Sequence, residues 1–256
     1  MHILKAKTFN SKILDRTVRY DLVLPPNYTI EKQYPVLLMN DGQDYDKMDI
    51  SHLLLKAWAS NVKEFIFVGI HANKNRLSEY GTSQELDYLG RGKNALSYQL
   101  FVLNELLPLL GKVYNIRKEE NVACGFSLGG LSAIDMTLEN VHVFDRVGVF
   151  SGAFWWRSKP YGPYYNEATD RIIHQKFKKT VLKPTLSFWF QCGTDDEKAD
   201  RNNNGIIDAI DDTLDLISIL KEKGYKDVNY KEIKGGQHNH ATWKKAFPDF
   251  LTWAFA

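Results

Sequence analysis

Short apolar runs rich in β-branched and aromatic residues alternate along this chain with longer segments in which apolar residues recur every three or four positions. That alternation constrains the fold more than any other feature. Each amphipathic segment has to bury its stripe against something, and a sheet covered on both faces accommodates them all. Continuous apolar runs at residues 36–39, 65–70, 122–124, 147–150 and 186–192 predict buried strands, and an alternating run at 229–233 predicts one more. Residues 98–113, 131–138, 206–223 and 243–255 carry the helical period and predict crossover helices. Residues 16–24 alternate polar and apolar positions and end in Pro25-Pro26, which suits an antiparallel edge strand. The expected class is α/β, a mostly parallel central sheet with an antiparallel N-terminal edge and helices on both faces.

A chain of 256 residues with no internal repeat, low-complexity tract or Pro/Ser-rich linker predicts one domain over residues 1–256. With 33 basic and 31 acidic residues the net charge is +2, so no bulk field draws the chain to nucleic acid or an anionic membrane. Cys124 and Cys192 both lie in apolar strand-like runs, which predicts small buried hydrophobes and not a disulfide framework. The start Met1-His-Ile-Leu-Lys-Ala-Lys has no apolar signal-peptide core, and no apolar stretch is long enough to span a bilayer. A cytoplasmic location is expected. Residues 73–93 form the longest segment without clear periodicity, either a cover over an active site or a plain surface loop.

One motif carries chemistry. Gly125-Phe126-Ser127-Leu128-Gly129 places G-x-S-x-G directly after a predicted strand and before a helical run. A serine on a tight strand-to-helix turn exposes its hydroxyl, flanking glycines relieve crowding, and the helix N-terminus faces developing negative charge. The expected oxyanion donor is the backbone N–H of Leu128. A second donor should come from a loop after an early strand. Asn40-Asp41-Gly42-Gln43 supplies one, with Gln43 N–H as the donor and Asp41 on the substrate side; an ordinary Asp-Gly turn is the alternative.

Serine is a weak nucleophile until an oriented base takes its proton, and the chain order serine, acid, histidine is expected for this turn. Gly235-Gly236-Gln237-His238-Asn239-His240 follows the last predicted strand, and closeness to the strand end favours His238 as base. His240 is then a helix-start or solvent residue, although an H-x-H pair can also bind a metal. Gly193-Thr194-Asp195-Asp196-Glu197 follows the preceding strand and offers the acid, Asp196 first and Asp195 close behind. Trp155 and Trp156, just after Ser151-Gly152, form either an aromatic wall for substrate or packing under a loop.

These residues resemble the α/β-hydrolase fold and, more narrowly, the putative-esterase family that includes esterase D, enterochelin esterases and feruloyl esterases. The resemblance runs over nearly the whole chain. It rests on N-D-G-Q at residues 40–43, R-L-S-E-Y at 76–80, G-F-S-L-G-G at 125–130, S-G at 151–152, G-T-D-D at 193–196 and G-G-Q-H-N-H-A-T-W at 235–243. It implies an α/β-hydrolase fold with no separate lid domain, Ser127 as nucleophile, Asp196 as acid, His238 as base, and Leu128 with Gln43 as oxyanion hole. Many relatives carry His-Gly where this chain has Asp41-Gly42. The implied activity is hydrolysis of a small-molecule carboxylic ester, such as a sugar ester or siderophore-like lactone, through an acyl-enzyme and without a catalytic cofactor. Acyl transfer by the same residues and a non-catalytic carbohydrate-binding relative are the rivals.

A second motif lies outside this set. Asp200, Asn202, Asn204, Asp208 and Asp211 occupy positions 1, 3, 5, 9 and 12 of a twelve-residue stretch with Gly205 at 6, which resembles EF-hand and dockerin calcium loops. The Ile206 carbonyl would serve at position 7. Asp211 is shorter than the usual glutamate, and a helix follows the loop without one preceding it. A structural calcium is expected, with an Asn/Gly turn whose aspartates cap the following helix as the alternative.

Overall fold

The computed structural model describes residues 2–60 and 62–256. Eight strands form one sheet: β1 (His2–Ser11), β2 (Arg16–Leu24), β3 (Val36–Asn40), β4 (Ile66–Ile70), β5 (Asn121–Phe126), β6 (Phe144–Phe150), β7 (Ser187–Asp195) and β8 (Val228–Gln237). Their spatial order is β1-β2-β4-β3-β5-β6-β7-β8. β1 and β4 pair antiparallel with β2, and every other pairing is parallel. Right-handed crossovers put helices on both faces of such a sheet. Here they are α1 (Ile50–Trp58), α2 (Arg76–Glu79), α3 (Ala95–Phe101), α4 (Leu107–Tyr114), α5 (Leu128–Glu139), α6 (Glu167–Asp170), α7 (Ile172–Lys179), α8 (Asp208–Glu222) and α9 (His240–Phe255).

The strand period of two divides the core. Leu38, Val68, Val149, Phe188 and Phe190 face a cluster built with α3, α4, α5, α7 and α8. Leu37, Met39, Phe67, Phe150 and Trp189 face the other, built with α1 and α9. Both cysteines are free and buried, and burial pushes the Cys192 thiol up to about 12.

Two expectations change. Residues 16–24 are not the edge: β1 pairs outside them, and Tyr20 to Leu24 are buried. The edge strand escaped the periodicity reading because it is nearly all exposed. Its alternation is also broken by a register shift between Leu4 and Lys7, where Ala6 has φ +54° and donates to the Asp21 carboxylate at 2.7 Å. The helix expected over residues 98–113 is interrupted by a π turn (Val102–Leu106) between α3 and α4. Residues 73–93 hold a single helical turn, α2, and otherwise follow an irregular path pinned by Asp87, which accepts from the Leu89 and Arg91 amides at 3.1 and 2.8 Å.

Candidate active site

In an open parallel sheet the loops at the carboxyl ends of the strands, where chain direction away from the centre reverses, form the binding crevice. Here that point lies between β3 and β5, and both carry candidate residues. Ser127 follows β5 with φ +53° and ψ −123°, a strained conformation for a non-glycine residue. It is over-determined by hydrogen bonds: Ser127 N–H donates to Phe150 C=O at 2.9 Å, and its own C=O accepts from Gly130 and Ala153 at 3.0 and 3.1 Å. The glycines are needed because backbone meets backbone. A Cβ on Gly125 would run into the Gly129 carbonyl and lie 2.8 Å from Gly130 N, and one on Gly130 would sit 2.7 Å from Val149 Cγ1.

Leu128 is the first residue of α5, so its amide is among those a helix leaves without an internal acceptor. The loop after β3 is stitched to this helix start. Asn40 Nδ2 donates to the Gly129 carbonyl at 2.8 Å, and a Cβ on Gly129 would lie 2.6 Å from Asp41 Oδ2. Gln43 is held in turn, its Nε2 donating to Asp41 at 3.0 Å and its Oε1 accepting from Ala72 N–H at 2.9 Å. Asp41, at φ +61°, is buried, and both its oxygens accept from Arg76 at 2.7 Å. It therefore does not offer a free carboxylate to a substrate as the sequence reading expected. The Arg76 charge also acts on His238, lowering its pKa. The sequence reading quoted Arg76 within a motif but gave it no role, because nothing local says that residues 35 apart will pair.

Register brings the candidate acid and base to one end of the sheet. Asp195 pairs with Gln237 across β7 and β8, so Asp196 and His238 are the next residues on adjacent strands. Asp195 is exposed whereas Asp196 is buried, which separates the two candidates. Asp196 Oδ2 accepts from Gly193 N–H at 3.1 Å, while Oδ1 is buried with no donor among the described residues. A buried carboxylate oxygen left so is expensive; the imidazole of His238 feels its charge but lies beyond ion-pair distance of it. His238 is exposed, yet partial burial of its ring pushes its pKa below the ordinary 6.5; the Asp196 charge opposes that shift and the Arg76 charge reinforces it. A lowered pKa favours the neutral imidazole, the form a base requires.

Trp243 connects base and elbow. Its ring stacks on Phe126, the residue before Ser127, at 4.9 Å and meets His238 edge-to-face at 5.3 Å. Its Nε1 donates to Ser151 Oγ at 3.0 Å. His240, the first residue of α9, packs on the same ring and lies 3.2 Å from the Asp44 carboxylate. Trp155 is half-buried beneath the Arg91 guanidinium, at 5.1 Å. Trp156 is fully enclosed, so it supports the site from below and cannot be a wall that substrate touches. A Cβ on Gly81 would lie 2.8 Å from its ring, which fixes the 73–93 segment over it.

The residues of the expected calcium loop run from the β7–α8 connection into the first turn of α8, beginning four residues after Asp196, and Asp200, Asn202, Asn204 and Asp211 come together there. Asp208 does not join them, because its carboxylate accepts from Arg201 N–H at 2.9 Å and pairs with the guanidinium at 3.2 Å. Among the described residues no helix is long and apolar enough to cross a membrane.

This architecture has known counterparts. The chain is 25% identical over 249 residues to the uncharacterized protein YbbA of Bacillus subtilis (strain 168), covering 93% of this chain and 92% of that protein. It superposes on a ferulic acid esterase with a TM-score of 0.75 at 18% identity, covering 99% of this chain and 97% of the other. An IroE-like serine hydrolase from Shewanella oneidensis matches with a TM-score of 0.75 at 21% identity, over 98% of this chain and 79% of that one. The enterobactin esterase FES from Shigella flexneri gives a TM-score of 0.77 at 19% identity, but this chain spans only 58% of its length. Residues 11–254 match the family described as "Esterase: Putative esterase". The chain belongs to that family, within the α/β-hydrolase fold, and is a carboxylic ester hydrolase.

Proposed function

We propose that the chain hydrolyses a small-molecule carboxylic ester through an acyl-enzyme formed on Ser127. His238 takes the hydroxyl proton as Oγ attacks the ester carbonyl, and Asp196 orients the imidazole and stabilises its charged form. The Leu128 and Gln43 amides stabilise the oxyanion. The tetrahedral species then collapses, His238 protonates the departing alcohol, and water attacks the acyl-enzyme by the same base. The observation that carries this reading is the Asp195–Gln237 register, which sets Asp196 beside His238 at the same end of the sheet as the strained serine. The likeness to structures named for ferulic acid and enterobactin esterases makes aromatic acyl esters the first substrates to try, with Trp155 and Arg91 as the surface that would meet the ring.

Ser127→Ala should lower kcat on an aryl ester by about 10⁶-fold while leaving the thermal midpoint unchanged, and it should abolish labelling by a fluorophosphonate. Turnover retained in that variant would refute the assignment. Added acceptor alcohols separate hydrolysis from acyl transfer, because only the latter yields a new ester.

A further inference from the structure

We infer that Tyr98 and Asn40 are positioning residues that fix the separation of the Leu128 and Gln43 amides, a role that depends on the acyl-enzyme reading of Ser127. The two amides belong to different elements. Leu128 opens α5 after β5, whereas Gln43 lies in the turn that follows β3. An oxyanion is stabilised most when both donors already stand where its charge develops, so whatever joins the two elements governs the effect.

A single carboxamide makes that join. Asn40, the last residue of β3, donates through Nδ2 to the Gly129 carbonyl at 2.8 Å. The residue three before Gln43 is thereby tied to the residue after Leu128. A carbonyl can only accept, so Nδ2 has to face Gly129, and Oδ1 is left needing a donor. Tyr98, on α3, supplies it: the phenol donates to Asn40 Oδ1 at 2.6 Å. Asn40 and Tyr98 are each 1% exposed, so solvent cannot stand in for a lost partner.

The turn needs such a restraint. Asp41 adopts φ +61°, which a non-glycine residue keeps only where its surroundings hold it. Arg76 holds its carboxylate, and the Tyr80 hydroxyl accepts from its N–H at 3.1 Å. The Tyr80 ring in turn meets Tyr98 edge-on at 5.1 Å. Arg76 and Tyr80 thus fix Asp41, and the Tyr98–Asn40 pair fixes the turn against α5. Burial pushes both phenols well above the ordinary tyrosine range, so they stay protonated wherever the site works.

Tyr98→Phe removes one hydroxyl and frees the carboxamide to turn. In the full chain acting on an aryl ester, kcat should fall about 10- to 100-fold with KM unchanged, because the hole acts on the transition state more than on bound substrate. Inhibition by an aryl trifluoromethyl ketone gives a readout that a merely structural role would not move. Ser127 Oγ adds to the ketone carbonyl, the hydroxyl proton passes to His238, and the hemiketal oxygen occupies the oxyanion position. Its inhibition constant should weaken by the same factor as kcat. The acidic limb of the rate profile should stay in place, which separates this role from that of groups acting on His238. Asn40→Ala should show the same split at least as strongly, and it serves if Tyr98→Phe does not fold. In the double variant the two losses should not add, because both run through one carboxamide.

If Ser127→Ala is inactive while Tyr98→Phe and Asn40→Ala keep kcat and the inhibition constant within about twofold of the parent, the role falls and the acyl-enzyme reading stands. A lowered kcat with an unmoved inhibition constant, or losses that add in full, would overturn it as well. Turnover retained in Ser127→Ala would instead remove the chemistry on which the role depends.

Discussion

At the carboxyl end of β5 the chain is held by contact, and at the ends of β7 and β8 it is held largely by charge. Around Ser127 backbone packs on backbone: Gly125 against Gly129, Gly130 against Val149, and Asp41 against Gly129. Around Asp196 and His238 the glycine contact of Gly193 with Gly236 ends abruptly. Beyond it come a buried carboxylate, an imidazole, Arg76 and a loop tied down by Arg201 and Arg171. Close packing is stiff and insensitive to salt, whereas charge is adjustable and depends on pH and ionic strength. The division suits the proposed chemistry, in which the nucleophile must not move while the base must change protonation state within each cycle.

After loss of the nucleophile itself, the largest expected effect tests the electrostatic half. Asp196→Asn should lower kcat on the order of 10⁴-fold, as loss of the orienting carboxylate does in other serine hydrolases, with little change in thermal midpoint. Deleting the negative charge that props up His238 should also move the acidic limb of the rate profile to lower pH. The sign follows from the base being active only when neutral: removing a cause that raises its pKa leaves it neutral further into acid. An unchanged rate would remove Asp196 from the mechanism.

The contact half should fail in the opposite way. Gly125→Ala adds a Cβ where the Gly129 carbonyl already lies. Relieving that overlap should cost about 3 kcal/mol or more, lowering the thermal midpoint by roughly 8 °C for a chain of this size. If the midpoint drops little while activity is lost, the elbow is less tightly wedged than its contacts indicate.

The two halves also differed in how far they could be read from sequence. The elbow was legible because steric necessity leaves local marks: glycines at fixed offsets, a strand before and a helix after. The position of His238 after a strand and Gly235-Gly236 was legible for the same reason. Asp196 and Asp195 could not be separated by chemistry alone, because the choice depends on which of them pairs at Gln237 and which lies beyond the register. Asp41 was misjudged because its partner, Arg76, stands 35 residues away. The Trp243 stack was missed altogether, since Phe126, Ser151 and Trp243 meet only after α9 packs on the sheet. β1 was lost to a bulge, yet α1 was missed despite a visible signal, with Ile50, Leu53, Leu54 and Ala57 at helical spacing and all buried.

Arg76 offers the finest comparison, because it touches both halves: its guanidinium clamps Asp41 on the loop packed against the elbow, and its charge reaches His238. Arg76→Gln should therefore do two separable things. Leaving the buried Asp41 without its partner should cost about 2 kcal/mol, less than for a fully buried pair because Arg76 is partly exposed. Removing a positive charge that lowers the His238 pKa should shift the acidic limb of the rate profile to higher pH, the reverse of the Asp196→Asn shift. A limb that does not respond to the substitution would mean that Arg76 serves only to hold Asp41, and that the electrostatic half stops at Asp196.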